Sequence, residues 1–168
     1  MNTKRFLFGA LLFASPAFAA DSVNLTTPVS GVVKAVFVEP GQRVKKGDRL
    51  LALDDVRYQA KLMEAEARVM RAKQEADDAD KDLKRAEELY ARGVSSTTEL
   101  DASRLRHARA GASLKEALAR QIIAQKNLDD TVLRAPFDGV VKSREAEPGM
   151  YVPAELDPPV LVILNKVK

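Results

Sequence analysis

The sequence predicts an α+β chain: one small all-β domain built from two separated segments, with a long antiparallel coiled-coil α-hairpin inserted between them. Three observations carry this. A β-type motif is written twice, the segment between the copies has the period of a coiled coil, and one short break divides that segment in two.

The first copy, Thr27 to Val44, reads TPVSGVVKAVFVEPGQRV, and the second, Ala135 to Val152, reads APFDGVVKSREAEPGMYV. They align without a gap at an offset of 108 residues, with nine of eighteen positions identical. Unrelated segments would share about one, so the chain contains an internal duplication. In the first copy, Val32 to Val38 is short, apolar and β-branched, as a buried strand is. Glu39-Pro40-Gly41-Gln42 then places Pro second and Gly third in a four-residue turn, the requirement of type II. Lys46-Gly47-Asp48 makes another turn, and Arg49 to Leu53 (RLLAL) another strand. The second copy repeats the first turn at Pro148 and Gly149. Its strand is more polar, with Ser143, Arg144 and Glu145 in place of Ala35, Val36 and Phe37. Its later turn uses Pro153, Pro158 and Pro159, and Val160 to Leu164 is a final strand.

The two β segments, 24–53 and 132–164, total about 60 residues, near the lower limit for a self-sufficient core. Each alone would be a marginal hairpin. They are therefore expected to form one domain of two quasi-equivalent halves, with Gly31, Pro40, Gly41, Gly139, Pro148 and Gly149 as its structural turn positions.

Between them, residues 54–131 follow another rule. From Asp54 to about Arg92 there is no Pro or Gly, and helix formers dominate. A seam of Tyr58, Leu62, Ala65, Val69, Ala72, Ala76, Ala79, Leu83, Ala86 and Tyr90 alternates spacings of four and three, a heptad pattern. Gly93 suits the left-handed position that ends a helix, and Ser96-Thr97-Thr98-Glu99 matches the capping box that starts one. The second helix runs to about Asp129 with a less apolar seam: Leu100, Ser103, His107, Ala110, Leu114, Ala117, Gln121, Ala124 and Leu128. So short a break, with its tip at about 92–97, forces the helices antiparallel. At 1.5 Å rise per residue the hairpin extends roughly 50 Å, far more than a domain of this size needs for its own core.

Residues 1–20 have the layout of a secretory signal peptide: Lys4 and Arg5, an apolar core from Phe6 to Ala14, and the small-x-small pattern Ala17-Phe18-Ala19. The apolar run is shorter than the roughly 20 residues that span a bilayer, so cleavage is expected. Composition then excludes several function classes. With no cysteine, thiolate catalysis and cysteine-ligated metal are ruled out, and a single histidine, His107, leaves no His-rich metal site. Without Lys4 and Arg5 the remaining 25 basic and 24 acidic residues leave a net charge of +1, too balanced for nucleic-acid binding by bulk field. The basic cluster Arg104, Arg106, His107, Arg109 reads as a solvated face. The acidic run Asp77, Asp78, Asp80, Asp82 lacks the spacing and glycine of a Ca²⁺ loop. No nucleophile–base pair or carboxylate pair converges, so no enzyme activity is expected.

A two-fold β repeat with P-x-x-G-x-V and E-P-G-x-x-V, split by an Ala-rich hairpin behind a signal peptide, resembles the periplasmic adaptor, or membrane fusion protein, family of the HlyD-like kind. The phrase RAPFDGVV, Arg134 to Val141, is typical of it. The resemblance covers about Leu25 to Leu164 and implies a biotinyl/lipoyl-like, or barrel-sandwich hybrid, β domain. It implies a protein peripheral to the inner membrane that bridges an inner-membrane transporter to an outer-membrane channel protein in an efflux or secretion system. It also implies a homo-oligomeric ring in the complex, with Val36 and Phe37 as a candidate subunit contact. In this family channel docking is associated with R-x3-L-x6-S at the hairpin tip, which Arg85, Leu89 and Ser96 match. Each has a plainer reading: a solvated charge, a seam residue beside Tyr90, and a helix N-cap. Family members typically continue into a β-barrel and a membrane-proximal domain, so this sequence is expected to be a short form. Two rival readings are an exported coiled-coil accessory protein without a channel partner, and a lipoyl or biotin carrier. A carrier needs a lysine on a tight turn where this chain inserts Asp54 to Thr131, while Lys34 and Lys142 lie in strands. No cofactor is therefore expected.

Overall fold

The structure, a computed structural model, describes residues 21–155 and 157–167. The expected signal peptide at 1–20 lies outside the described residues. In chain order the elements are β1 (Ser22–Leu25), β2 (Gly31–Val36), β3 (Arg43–Val44), β4 (Arg49–Leu53), α1 (Val56–Ala91), α2 (Thr97–Asp129), β5 (Val132–Arg134), β6 (Gly139–Arg144), β7 (Tyr151–Val152) and β8 (Val162–Lys166).

The strands form two four-stranded sheets, ordered β1-β8-β6-β3 and β5-β4-β2-β7, with every pairing antiparallel. Replacing each strand by its repeat equivalent converts one order into the other. Each sheet therefore takes two strands from each copy, and neither copy makes a sheet by itself.

The repeated turns hold the interleaving together. Gly41 N–H donates to the Val141 carbonyl (2.8 Å), and Val141 N–H donates back to Gln42 (2.9 Å). The equivalents do the same: Gly149 N–H to the Val33 carbonyl, and Val33 N–H to Met150, both 2.8 Å. Gly41 and Gly149 sit at φ +87° and +89°, the left-handed conformation that the third position of a type II turn requires. The turns close through Gln42 N–H to Glu39 and Met150 N–H to Glu147, each 3.1 Å. Between the sheets lies one apolar core, including Val33 and its equivalent Val141 with Leu50, Leu51, Leu53, Val152, Leu161 and Leu164, all fully buried.

Three expectations need correction. Gly31 and Gly139 are not turn residues; they open β2 and β6. What they need is space: a Cβ on Gly139 would lie 2.5 Å from the Asn165 carbonyl oxygen, and one on Gly31 would lie 3.3 Å from Leu53 Cδ1. The final strand runs two residues later than its apolar run, because pairing continues through Asn165 and Lys166 against Ser22 and Gly139. Of the candidate contact pair, Val36 packs against the core, which leaves Phe37 as the exposed member.

The helices pack along the seams the heptads mark. On α1 the least exposed positions run from Tyr58 through Ala65 and Ala72 to Ala86, and on α2 from Leu100 through Ser103 and Ala117 to Leu128. Only small residues on α1, Ala65 and Ala72, are fully buried, as close helix approach requires. The polar seam positions of α2 find partners: Arg106 donates to the Ser103 hydroxyl (3.3 Å), and His107 Nε2 lies 3.8 Å from Asp80.

The hairpin root is tied to the β domain. Leu53 N–H donates to the Thr131 carbonyl and Asp54 N–H to Val32, each 2.8 Å. Tyr58, on the first turn of α1, donates its hydroxyl to the Ser30 carbonyl (2.7 Å). The buried Thr131 hydroxyl caps the end of α2 at Leu128 (2.7 Å). These bonds fix where the helices leave the domain.

Candidate functional site

The far end of the hairpin is shaped by two back-to-back caps. α1 ends at Ala91 with Arg92 as its C-cap, and Gly93 adopts φ +71°. Gly93 N–H donates to the Tyr90 carbonyl (2.9 Å) and Val94 N–H to Leu89 (3.0 Å). This paired pattern is the Schellman motif, which commonly places an apolar residue after the glycine against one in the last turn. Val94 and Leu89 hold those two positions and line the same groove, with Val94 largely exposed.

Two residues later α2 begins with a complete capping box. Glu99 N–H donates to the Ser96 hydroxyl oxygen (3.3 Å), and the Glu99 carboxylate accepts from Ser96 N–H (3.1 Å) and the Ser95 hydroxyl (2.8 Å). Those bonds, the Ser96 N–H foremost, hold the Glu99 pKa below its ordinary value, with slight burial opposing them. A five-residue loop, 92–96, is thus fixed by backbone geometry and one carboxylate.

The sequence-predicted docking residues lie on or beside this cap. Arg85 is exposed on α1 and pairs with Asp82 (3.1 Å). Leu89 is 39% exposed, so it is not simply a seam residue. Arg85 and Leu89 share an open groove of about 460 Å³ with Val94, Ser95, Glu99, Ala102 and Arg106. Ser96 is exposed but stands outside that groove, and its side chain serves the N-cap. Val94 and Arg106 were missed from sequence. The apolar Val94 directly after Gly93 was the available signal for the first; Arg106 had none, because its place depends on how the helices are phased. The groove can take a small apolar side chain over Leu89 and Ala102 and offer guanidinium donors at its rim.

Midway along the hairpin, Asp80 accepts from Lys84 (2.7 Å) and faces His107. The Lys84 hydrogen bond chiefly lowers the Asp80 pKa, against a small opposing effect of burial. Among the described residues no group of three or more His, Asp or Glu is placed to hold a metal ion, and no helix is long and apolar enough to cross a membrane.

Two interleaved sheets from a duplicated sequence, opened at one point to admit a helical hairpin, define a barrel-sandwich hybrid with an inserted coiled coil. The chain belongs to the CzcB-like barrel-sandwich hybrid domain family, whose model matches residues 21–157. It is similar to the multidrug resistance protein MdtA of Yersinia enterocolitica, 28% identical over 86% of this chain and 33% of that protein. It is also similar to the solved MacA-MexA chimera that carries the Pseudomonas aeruginosa MexA α-hairpin. That match has TM-score 0.67 and 26% identity, and covers 88% of this chain and 47% of the chimera. The membrane fusion protein Spr0693 of Streptococcus pneumoniae shares the fold, with TM-score 0.66 and 18% identity over 88% of this chain and 60% of that one. The chain spans about a third of the length of the curated relatives it matches.

Proposed function

We propose that this chain is a periplasmic adaptor subunit of a tripartite efflux or secretion system. It bridges an inner-membrane transporter to an outer-membrane channel, and its hairpin tip makes the channel contact. The observation that carries this reading is the tip itself: a long rigid hairpin, rooted in a small β domain, ends in a loop fixed by two caps and displays Arg85 and Leu89. A helix pair of roughly 50 Å that encloses no core of its own is a spacer. Similarity to a multidrug resistance protein and to a chimera built around an efflux-adaptor hairpin supports the same use.

In this reading residues 1–20 direct export and are removed, the β domain of segments 24–53 and 132–164 anchors the base, and hairpin 54–131 spans toward the channel. Several copies act together as a ring. Arg85 supplies a forked donor to carbonyls or carboxylates of the channel, Leu89 an apolar knob, and Ser96 the shape of the loop that presents them. The chain performs no catalysis; it sets distance and orientation.

Photo-crosslinking amino acids placed at Arg85, Leu89 and Ser96 in living cells test this. The expected product is an adduct with an outer-membrane channel protein from all three positions and not from a mid-hairpin control at Lys73. Self-adducts alone would instead favour the exported coiled-coil accessory reading.

A further inference from the structure

The β domain gathers positive charge at one end. β4 runs from Arg49 to Leu53, where the hairpin leaves, and β5 runs from Val132, where it returns, to Arg134. Arg49 and Arg134 are direct cross-strand partners at the end of that ladder farthest from the hairpin. The turn before β4 closes the same end: Gly47 N–H donates to the Ala135 carbonyl (2.8 Å), and Ala135 N–H donates to Asp48 (2.9 Å). That turn carries Lys45 and Lys46, both exposed. In the other sheet Gly139 pairs with Val44 on one side and Lys166 on the other, which brings Lys166 to the same pole.

Five cations therefore meet opposite the hairpin, and none of them forms an ion pair among the described residues. Three carboxylates stand among them. Those of Asp48 and Asp138 accept from the backbone N–H groups of Lys45 and Lys46, each at 2.7 Å. Asp21 lies beside Lys166, whose N–H its carbonyl accepts (3.1 Å). After residue 20, basic and acidic residues elsewhere in the chain balance almost one for one. The cluster also costs stability, because like charges directly opposite in a ladder repel. Arg134 offsets part of this by donating to the Gly47 carbonyl (3.0 Å), whereas the Arg49 side chain has no hydrogen bond among the described residues. A partner that supplies anions removes the repulsion.

The composition of the pole says which partner. The centre of a protein interface is apolar and poor in lysine. Here two lysines occupy the central turn, and the exposed apolar residues flank it. Phe37 is 48% exposed, and its N–H donates to the carbonyl of Leu50, next to Arg49. Val167 is 50% exposed beside Asp138. Cations on long stems over a turn and three strand ends suit a fluid array of phosphates, and an aromatic ring beside them suits the headgroup boundary. We propose that this pole binds an anionic lipid surface: Lys45, Lys46, Arg49, Arg134 and Lys166 hold headgroup phosphates, and Phe37 enters the headgroup boundary. Bound in this way, the hairpin points away from the bilayer. The use of the surface rests on the adaptor reading, which implies a place at the inner membrane but no particular contact with it; its existence rests on the charges.

Cosedimentation with lipid vesicles tests this on the chain from Asp21 onward, which holds the whole described fold. Vesicles of about 30% phosphatidylglycerol in phosphatidylcholine should bind it at roughly 50 mM salt and release it by roughly 300 mM. Pure phosphatidylcholine should not bind it. Lys45→Gln with Lys46→Gln should weaken partitioning about thirtyfold, or roughly fivefold for each cation. The mid-hairpin pair Lys73→Gln with Lys115→Gln, an equal change in net charge, should leave partitioning unaltered. Arg49→Gln should lower partitioning about fivefold yet leave the thermal melt unchanged or higher, since it also removes the repulsion from Arg134. The proposal is overturned by no binding to anionic vesicles, by equal binding to neutral ones, or by equal losses from the two lysine pairs. Release by millimolar inorganic phosphate at matched ionic strength would overturn it too, as the mark of a single-anion site. If anionic vesicles fail and a photo-crosslinker at Lys46 captures a protein in cells, the pole is a protein interface and the proposal falls. Vesicle binding without any channel adduct at Leu89 would overturn the docking reading and leave this surface standing.

Discussion

The two ends of this molecule are held by opposite means. At the root, order comes from residues far apart in sequence: Gly41 bonds Val141, Gly149 bonds Val33, and the core draws on both copies. At the tip, order comes from within eleven residues, Leu89 to Glu99, and no residue of the loop 92–96 is fully buried. The root is therefore cooperative and fails as a unit, whereas the tip is local and can loosen while the rest stays folded. For the adaptor role proposed above, that division would let the tip sequence change without cost to the clamp.

The largest expected effect tests the root, and it also separates the two copies. Gly31 and Gly139 are equivalent by repeat, yet their surroundings differ. A methyl on Gly139 meets the Asn165 backbone oxygen at 2.5 Å and Leu164 Cγ at 2.9 Å, and a paired strand cannot retreat. The methyl on Gly31 meets only the Leu53 side chain, Cδ1 at 3.3 Å and Cβ at 3.4 Å, so a yield of a few tenths of an ångström accommodates it. Gly139→Ala should cost about 3 kcal/mol of unfolding free energy, at the upper end of ordinary overpacking, and Gly31→Ala less than about 1 kcal/mol. Urea denaturation followed by circular dichroism measures both. Equal losses would mean that the two halves are more alike than the packing indicates.

A smaller effect is expected at the tip. Ser96→Ala removes the oxygen that accepts from Glu99 N–H, and losing an N-cap costs about 1 kcal/mol. That cost should fall on the first turn of α2. Amide exchange at Thr98 to Leu100 should quicken several-fold while the global melt barely moves. Ser96→Asp, which can cap equally well, should restore protection. A fall in the global melt as large as that of Gly139→Ala would show the tip to be coupled to the root.

The same contrast explains what the sequence disclosed. Period and capping are local, so α1, α2, the loop and the capping box could be read directly. Even Ser103, His107 and Gln121, polar on a seam, stand where the heptad put them, because Arg106 and Asp80 partner the first two. The duplication indicated two halves of one domain, but not that each sheet takes strands from both, since pairing of strands 80 or more residues apart leaves no mark on either alone. For the same reason Gly31 and Gly139 read as turn glycines: a need for left-handed backbone and a need for space look alike in sequence. The tip groove joins Arg85 to Arg106 across two helices, so only the first was legible.

The smallest effect expected is a pH dependence confined to the tip. Glu99 accepts from Ser96 N–H and the Ser95 hydroxyl only as a carboxylate, and those bonds lower its pKa from the ordinary 4.5. A depressed folded-state pKa contributes stability above the unfolded value and loses it as pH falls through the folded one. The cap should thus be complete above pH 4.5 and weaken progressively below it. Because the carboxylate is exposed, the effect should be modest and should shrink in salt. Two-dimensional NMR of the loop amides between pH 6 and pH 3 would follow it. The Ser96 amide resonance should titrate with a midpoint below 4.5, and Glu99→Gln should abolish the shift. A midpoint at or above 4.5 would mean that the carboxylate does not prefer the cap to water, and that the Schellman turn at Gly93 and the Ser96 hydroxyl shape the tip without it.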